Sequence, residues 1–358
     1  MNTVTKTYEL PLTRAYVRNW TAVEAIREIL QNALDYGRGA LNCVVTEDSI
    51  QINSPGARLE PRTLLLGCTS KADDDSAIGS FGEGYKIALL VLAREGIQIE
   101  VQNCGVIWRP KFAPSEMFGE EVLSIEESPD EEWRPQGVYF VIKGLPEDVI
   151  NKVRANTLQL QQDIGSFHRV LQGDILLGQP GKLYVNGLFV SDTGLEFGYN
   201  VKPQFLKLER DRQTVSSFDL KWLTKDMWFG TGLPMAVAEM LEKGIEDLEY
   251  ANYNCPEIVK EACYRAFVTK HPGAVIAKSQ AELDKIVEER MVKEVRIYSS
   301  AFADVVRSHD DYKEPGLKKS IITPEMHLKG FLSAQRRNMN RKSIEQFKKL
   351  IEASKSWK

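Results

Sequence analysis

The chain lacks any long apolar run. Its longest, Ile87 to Ala93, falls far short of the roughly 20 residues that a membrane-spanning helix needs, so no membrane association is expected. It also lacks paired cysteines. The five present, at 43, 68, 104, 255 and 263, are odd in number and show no C-x-x-C spacing, which argues against a zinc ribbon or a dithiol redox motif. They read as small buried thiols in a reducing compartment. The opening residues, MNTVTKTYELPL, carry no basic stretch followed by an apolar core, so no secretory leader is expected and the localisation reads as cytoplasmic. Charge of one sign is scarce too. A net charge of −4 over 358 residues gives no field strong enough to select a polyanionic partner. Internal repeats and low-complexity tracts are absent.

What is present is ordinary globular composition, with 43% hydrophobic and 27% charged residues, on a chain long enough for two or three domains. Residues 7–17 read as extended, with Tyr8, Leu10 and Leu12 on one face. A helix then starts at a capping box, Thr21 with Glu24, and carries Val23, Ile26, Ile29, Leu30, Ala33 and Leu34 at helical spacing until Gly37 and Gly39 stop it. Cys43–Thr46 and Ser49–Asn53 read as a hairpin, and residues 85–94 as a second helix. Strands are expected at 97–103, 106–112 and 138–143, with the acidic, proline-containing stretch 114–136 as an exposed loop. Beyond a boundary near 150–165 come a strand around 182–190, a polar segment at 206–215 and a helical stretch at 234–249. A β-α-β-α run follows over 274–307, then a basic helical tail from 324.

Two features carry chemistry. Glu28, Asn32 and Asp35 stand at i, i+4 and i+7 and share one face of the first helix, a pattern that a solvated polar face would also show. Gly79-Ser-Phe-Gly82-Glu-Gly84-Tyr-Lys86 then opens directly into the second helix. Glycines let backbone amides approach a ligand, and a helix N-terminus suits phosphate. No strand leads straight into this run, which disfavours a Rossmann site.

Taken together and in this order, Glu28-Ile-Leu-Gln-Asn32-Ala-Leu-Asp35 and the glycine run resemble the motifs of the GHKL ATPase family, whose first motif is E-x-x-x-N-A-x-D. Thr69-Ser70-Lys71 is similar to the T-S-K of the MutL lid, and Phe81-Gly82-Glu83-Gly84 to its G-F-R-G-E segment. The resemblance covers roughly residues 20–95. It implies an α+β fold: a Bergerat-type α/β sandwich over 1–160, a transducer-like α/β domain over 161–250, and a small α/β subdomain with a basic helical tail over 251–358. It implies ATP and Mg²⁺ as cofactors, with Glu28 as general base, Asn32 on the metal and Asp35 near the adenine side. Gly82, Gly84 and Lys86 would hold the phosphates. Gly56, Thr69, Ser70, Lys71, Gly79, Phe81, Glu83 and Tyr85 would complete the nucleotide site.

The family's middle motif, D-x-G-x-G, is altered. Its place falls on Ile52-Asn53-Ser54-Pro55-Gly56-Ala57, where Asn53 could accept the adenine hydrogen bond, or the stretch could be a plain Pro-Gly turn. Further on, Leu183 to Asp192 resembles the F-V-N-G-R strand of MutL, and Leu206-Lys-Leu-Glu-Arg210-Asp-Arg212-Gln resembles the L-N-x-S-R-E segment of the ninety-kilodalton heat-shock chaperones. Arg210, or Arg212 beside it, would then reach the γ-phosphate. The implied activity is a slow ATPase acting as a conformational switch, with ATP, a second copy of the chain and a protein client as partners. Nucleic acid enters through the resemblance to MutL and the topoisomerases and through the basic tail, which reads equally as a solvated helix face. A histidine-phosphorylating kinase is disfavoured, because the four histidines (168, 271, 309 and 327) all follow the nucleotide motifs. An interaction protein that binds nucleotide without turnover is the rival suggested by the altered middle motif.

Overall fold

Thr21 starts the first helix as its spacing predicts. Its hydroxyl accepts from the Val23 amide, and its own amide donates to Glu24 Oε2 at 2.7 Å, which closes the capping box. The helix buries Ile26, Ile29, Leu30 and Leu34, each such side chain contributing about 1.5–3 kcal/mol by leaving water. The computed structural model describes residues 4–65, 83–132, 134–206, 216–290, 292–314, 316 and 324–355.

In chain order the first unit comprises β1 (Lys6–Leu10), α1 (Ala22–Tyr36), β2 (Asn42–Val45), β3 (Ser49–Pro55), α2 (Gly84–Arg94), β4 (Gln98–Asn103), β5 (Val106–Pro114), β6 (Glu121–Pro129), β7 (Gly137–Lys143) and α3 (Glu147–Ala155). The strands form one seven-stranded sheet in the order β1-β6-β5-β4-β7-β3-β2, each neighbouring pair antiparallel. Helices α1 and α2 pack on each other and on β3, β4 and β5, and α3 packs on α1. Along β3, Ile50 and Ile52 are fully buried in this core while Gln51 and Asn53 alternate to the other face.

The stretch 114–136 is not the loop its acidity suggested. It contains β6, inserted between β1 and β5, with Val122, Leu123 and Ile125 buried. Its acids have partners: Glu126 pairs with Lys111 at 2.6 Å, and Glu127 accepts from Trp108 Nε1 at 3.0 Å and from the Tyr8 hydroxyl at 3.2 Å. Pairing removes the cost of holding those carboxylates on a covered sheet.

The second unit comprises β8 (Phe167–Val170), β9 (Gly173–Leu176), β10 (Lys182–Val185), β11 (Leu188–Asp192), β12 (Gly198–Val201), α4 (Ser217–Phe229), α5 (Pro234–Lys243), α6 (Glu257–Lys270), β13 (Val275–Ala277), α7 (Gln280–Glu289), β14 (Val295–Ile297) and α8 (Ser300–Arg307). Its five-stranded sheet runs β11-β10-β12-β9-β8, with β10 and β12 parallel, and β13 and β14 form a separate parallel pair. One apolar core extends from Val170 through Phe267 to Val306, so the β12 sheet, α5, α6 and α8 share it. Two further helices, α9 (Pro324–Gln335) and α10 (Arg341–Ser354), form a hairpin. The chain is thus mixed α and β.

Asn186 and Gly187 both have positive φ, 51° and 82°, and make the two-residue turn between β10 and β11 that an Asn-Gly pair favours. That turn meets the first unit. The Gly187 carbonyl accepts from Leu158, and Gln159 clamps the loop after α1, donating to Gly39 O at 2.7 Å and accepting from Leu41 N at 3.0 Å.

Candidate functional site

Glu28 lies in the second turn of α1 and is buried, with 3% of its surface exposed. Across from it, α2 begins at Gly84. A Cβ added to Gly84 would collide with Glu28 Oε2, so the carboxylate lies directly against the opening of α2. The backbone amides that begin a helix lack intrahelical acceptors, and a carboxylate there is electrostatically favourable. The N-cap, Glu83, makes no side-chain capping bond. Arg27 Nη1 stands 3.9 Å from Glu28 Oε1, at the outer limit of an ion pair.

The same two helices are joined at their other ends. Ala22 N, in the first turn of α1, donates to Glu95 Oε2 at 3.2 Å, just past the end of α2. Arg94 donates to the carbonyls of Tyr16 at 3.0 Å and Trp20 at 2.7 Å, with longer approaches to Arg14 and Val17. This fixes the segment that feeds α1. Sequence reading missed Arg94; its one signal was a basic residue in the last turn of α2.

Asn32, one turn after Glu28, donates from Nδ2 to the Glu28 carbonyl at 2.9 Å, which orients its amide oxygen. Asp35 is two turns from Glu28, about 10 Å along the helix axis. It lines a different space, a cleft of about 1040 Å³ between the end of α1 and the second sheet, with Arg38, Arg169, Asp174, Asn200 and Lys202. Gly56, at φ 76°, turns the chain after β3, and a Cβ there would approach the Tyr36 hydroxyl at 3.5 Å, so this turn does reach the end of α1.

Asn53 is not brought to the site. Its Oδ1 accepts from Gln51 Nε2 at 2.9 Å and its Nδ2 donates to Asn42 Oδ1 at 3.1 Å, on the sheet face opposite Ile52 and α1. A strand's strict alternation is the cause: with Ile52 in the core, its neighbour must face away.

Lys86 is fully buried and donates to the carbonyl of Leu65. Tyr85 has its hydroxyl 2.8 Å from Thr63 Oγ1 and its ring edge on Phe140. Burial pushes the Tyr85 phenol up, and the bond to Thr63 only partly offsets it. These two side chains anchor α2 to the turn at Pro61–Leu64. Thr69, Ser70, Lys71, Gly79, Phe81 and Gly82 lie outside the described residues, as do Arg210 and Arg212.

Among the described residues no three or more His, Cys, Asp or Glu converge as a metal cluster, and no helix is long and apolar enough to cross a membrane. No family model matches the chain. It is similar to an uncharacterised protein of Mycoplasma pneumoniae. The two are 24% identical over 224 residues, which is 57% of this chain and 89% of that protein. At that distance the likeness carries no activity with it, so chemistry must be argued from the site.

Proposed function

We propose that the first unit is a GHKL-type, Bergerat-fold ATP site and that the protein is a slow Mg²⁺-dependent ATPase acting as an ATP-driven conformational switch. One observation carries this reading: the buried Glu28 carboxylate and the glycine-opened N-terminus of α2, far apart in sequence, are adjacent in space. A general base needs a fixed position beside an anion-binding element, and this pair supplies both.

In this reading Glu28 orients the attacking water and takes its proton. The first amides of α2 hold phosphate oxygens. Asn32 offers its amide oxygen to Mg²⁺, a cation that usually keeps several waters beside the phosphates. When bound, Mg²⁺ would neutralise charge between the phosphates. Lys86 is buried with its ammonium donating to the Leu65 carbonyl, and in this reading it holds that segment against α2.

A second reading, a nucleotide-binding interaction protein without turnover, draws on Ile52 and Asn53. An apolar residue fills the core where the family has an acid, and the amide beside it faces away. Calorimetry with ATP and Mg²⁺, together with phosphate release, by wild type and Glu28→Ala separates the two. Binding by both proteins with release only by wild type supports the ATPase. Binding by both with release by neither supports the second reading, and failure of wild type to bind ATP rejects the site.

A further inference from the structure

Charge is unevenly divided along this chain. Residues 324–355 hold eight lysines and arginines against three glutamates, a net +5, while the remaining residues carry −9. Yet among the described residues no cation of the α9–α10 hairpin pairs with an acid outside it. Lys329 and Lys355 bond to Glu325 and Glu352 of the hairpin itself, both at 2.8 Å. Arg336, Arg337, Arg341, Lys342, Lys348 and Lys349 are exposed and form no ion pair with any acid among the described residues.

These six cations are ordered in space. Arg341 with Lys348 and Lys342 with Lys349 are seven residues apart, so each pair lies on one face of α10, and together they make a stripe about 10 Å long. Arg336 and Arg337 stand at the hairpin's tip, in the turn that precedes α10. The first turn of α10 has two cations and no acid, the placement that the helix dipole disfavours. The opposite face of α10 is occupied within the hairpin: Phe347 stacks on Phe331 with centroids 5.3 Å apart, and Ile351 is buried.

We infer that the basic face of α10 and the hairpin tip form a binding surface for the sugar–phosphate backbone of nucleic acid. Each strand of a duplex carries a phosphate about every 3.4 Å along the axis, so a stripe about 10 Å long spans about three. A membrane-surface helix would need its apolar face free to enter the headgroup layer, whereas here Phe347 stacks on Phe331 of α9 and Ile351 is buried. Backbone contacts of this kind position without reading sequence. The inference is independent of the ATP reading and is tested without nucleotide.

The test uses the full chain and dye-labelled DNA of about 30 base pairs, with anisotropy read between about 50 and 200 mM salt. Wild type should bind, with log K falling against log salt at a slope of about −4 to −5. The variant Arg341→Glu/Lys342→Glu/Lys348→Glu/Lys349→Glu should lose at least about tenfold in affinity and flatten the slope by about 3. Glutamates in the first turn of α10 suit the dipole, so the helix is retained, and circular dichroism checks this. Arg336→Gln/Arg337→Gln, a milder change at the tip, should flatten the slope by about 1 to 2. No binding by wild type at low salt, unchanged affinity and slope in the variants, or binding to phosphatidylserine vesicles but not to DNA would each overturn the inference.

Discussion

Glu28 and Gly84 share one space: the carboxylate of the first lies where a side chain on the second would stand. The relationship explains why the opening of α2 is glycine at this position although φ there is not positive. The requirement is room for a carboxylate, not backbone freedom.

Gly84→Ala therefore separates stability from function. Alanine gains up to about 1 kcal/mol of helix propensity, and the flexible end of Glu28 can swing aside, so unfolding free energy should change by no more than about 1 kcal/mol. Hydrolysis should fall at least about tenfold, because the base is displaced from its position. In a Glu28→Ala background the same substitution should be stabilising. Urea melts of the four proteins form the cycle, and an equal effect of Gly84→Ala in both backgrounds would refute the contact.

Asn53→Ala tests base recognition. Since Asn53 bonds to Gln51 and Asn42 on the far face of the sheet, its loss should leave ATP affinity within about twofold of wild type. A loss of tenfold or more, about 1.4 kcal/mol, would mean that β3 turns this side chain toward nucleotide.

What was legible in the sequence was local. The Thr21–Glu24 box, the hairpin β2–β3 and the limits of α2 follow from residues within a turn of one another. The two motifs that meet at Glu28 and Gly84 were each readable, but their contact depends on how α1 packs on α2. Strand β6 was hidden because Glu126 and Glu127 look like solvated charge until Lys111, Trp108 and Tyr8 arrive from other strands. Ile52 and Asn53 were ambiguous for a similar reason. Alternation says that they face opposite ways, and only the core says which faces in.

Three of the five thiols, those of Cys43, Cys255 and Cys263, should be inert while the chain is folded. Burial pushes Cys43 and Cys255 up to about 12, and Cys263 higher still. At pH 8 a thiol at about 12 is thiolate in about 1 molecule in 10,000, against roughly a quarter for an unperturbed cysteine. Mass spectrometry after iodoacetamide should find Cys43, Cys255 and Cys263 modified only once urea unfolds the protein. Rapid labelling of Cys263 in the native state would contradict its burial beneath α8 and α5.

Asp247 gives the second unit a pH dependence. It is fully buried, its carboxylate accepting from the amides of Glu196 at 2.8 Å and Phe197 at 3.2 Å and from the Tyr199 hydroxyl, which itself accepts from Trp228 Nε1 at 2.9 Å. Burial raises its pKa above 3.8, and the three hydrogen bonds only partly oppose this. A raised carboxyl binds more protons folded than unfolded. Its contribution to stability is then fully present below 3.8 and is lost as pH rises through the folded value. Asp247→Asn removes that titration while keeping the shape. The stability gap between wild type and variant should therefore be larger just below 3.8 than near about pH 8, read from urea midpoints. Asp247→Ala should cost about 3 kcal/mol or more, because two backbone amides and the Tyr199 hydroxyl lose their acceptor in a site that water does not reach. A gap that grows with pH would reverse the sign and show that the hydrogen bonds outweigh burial.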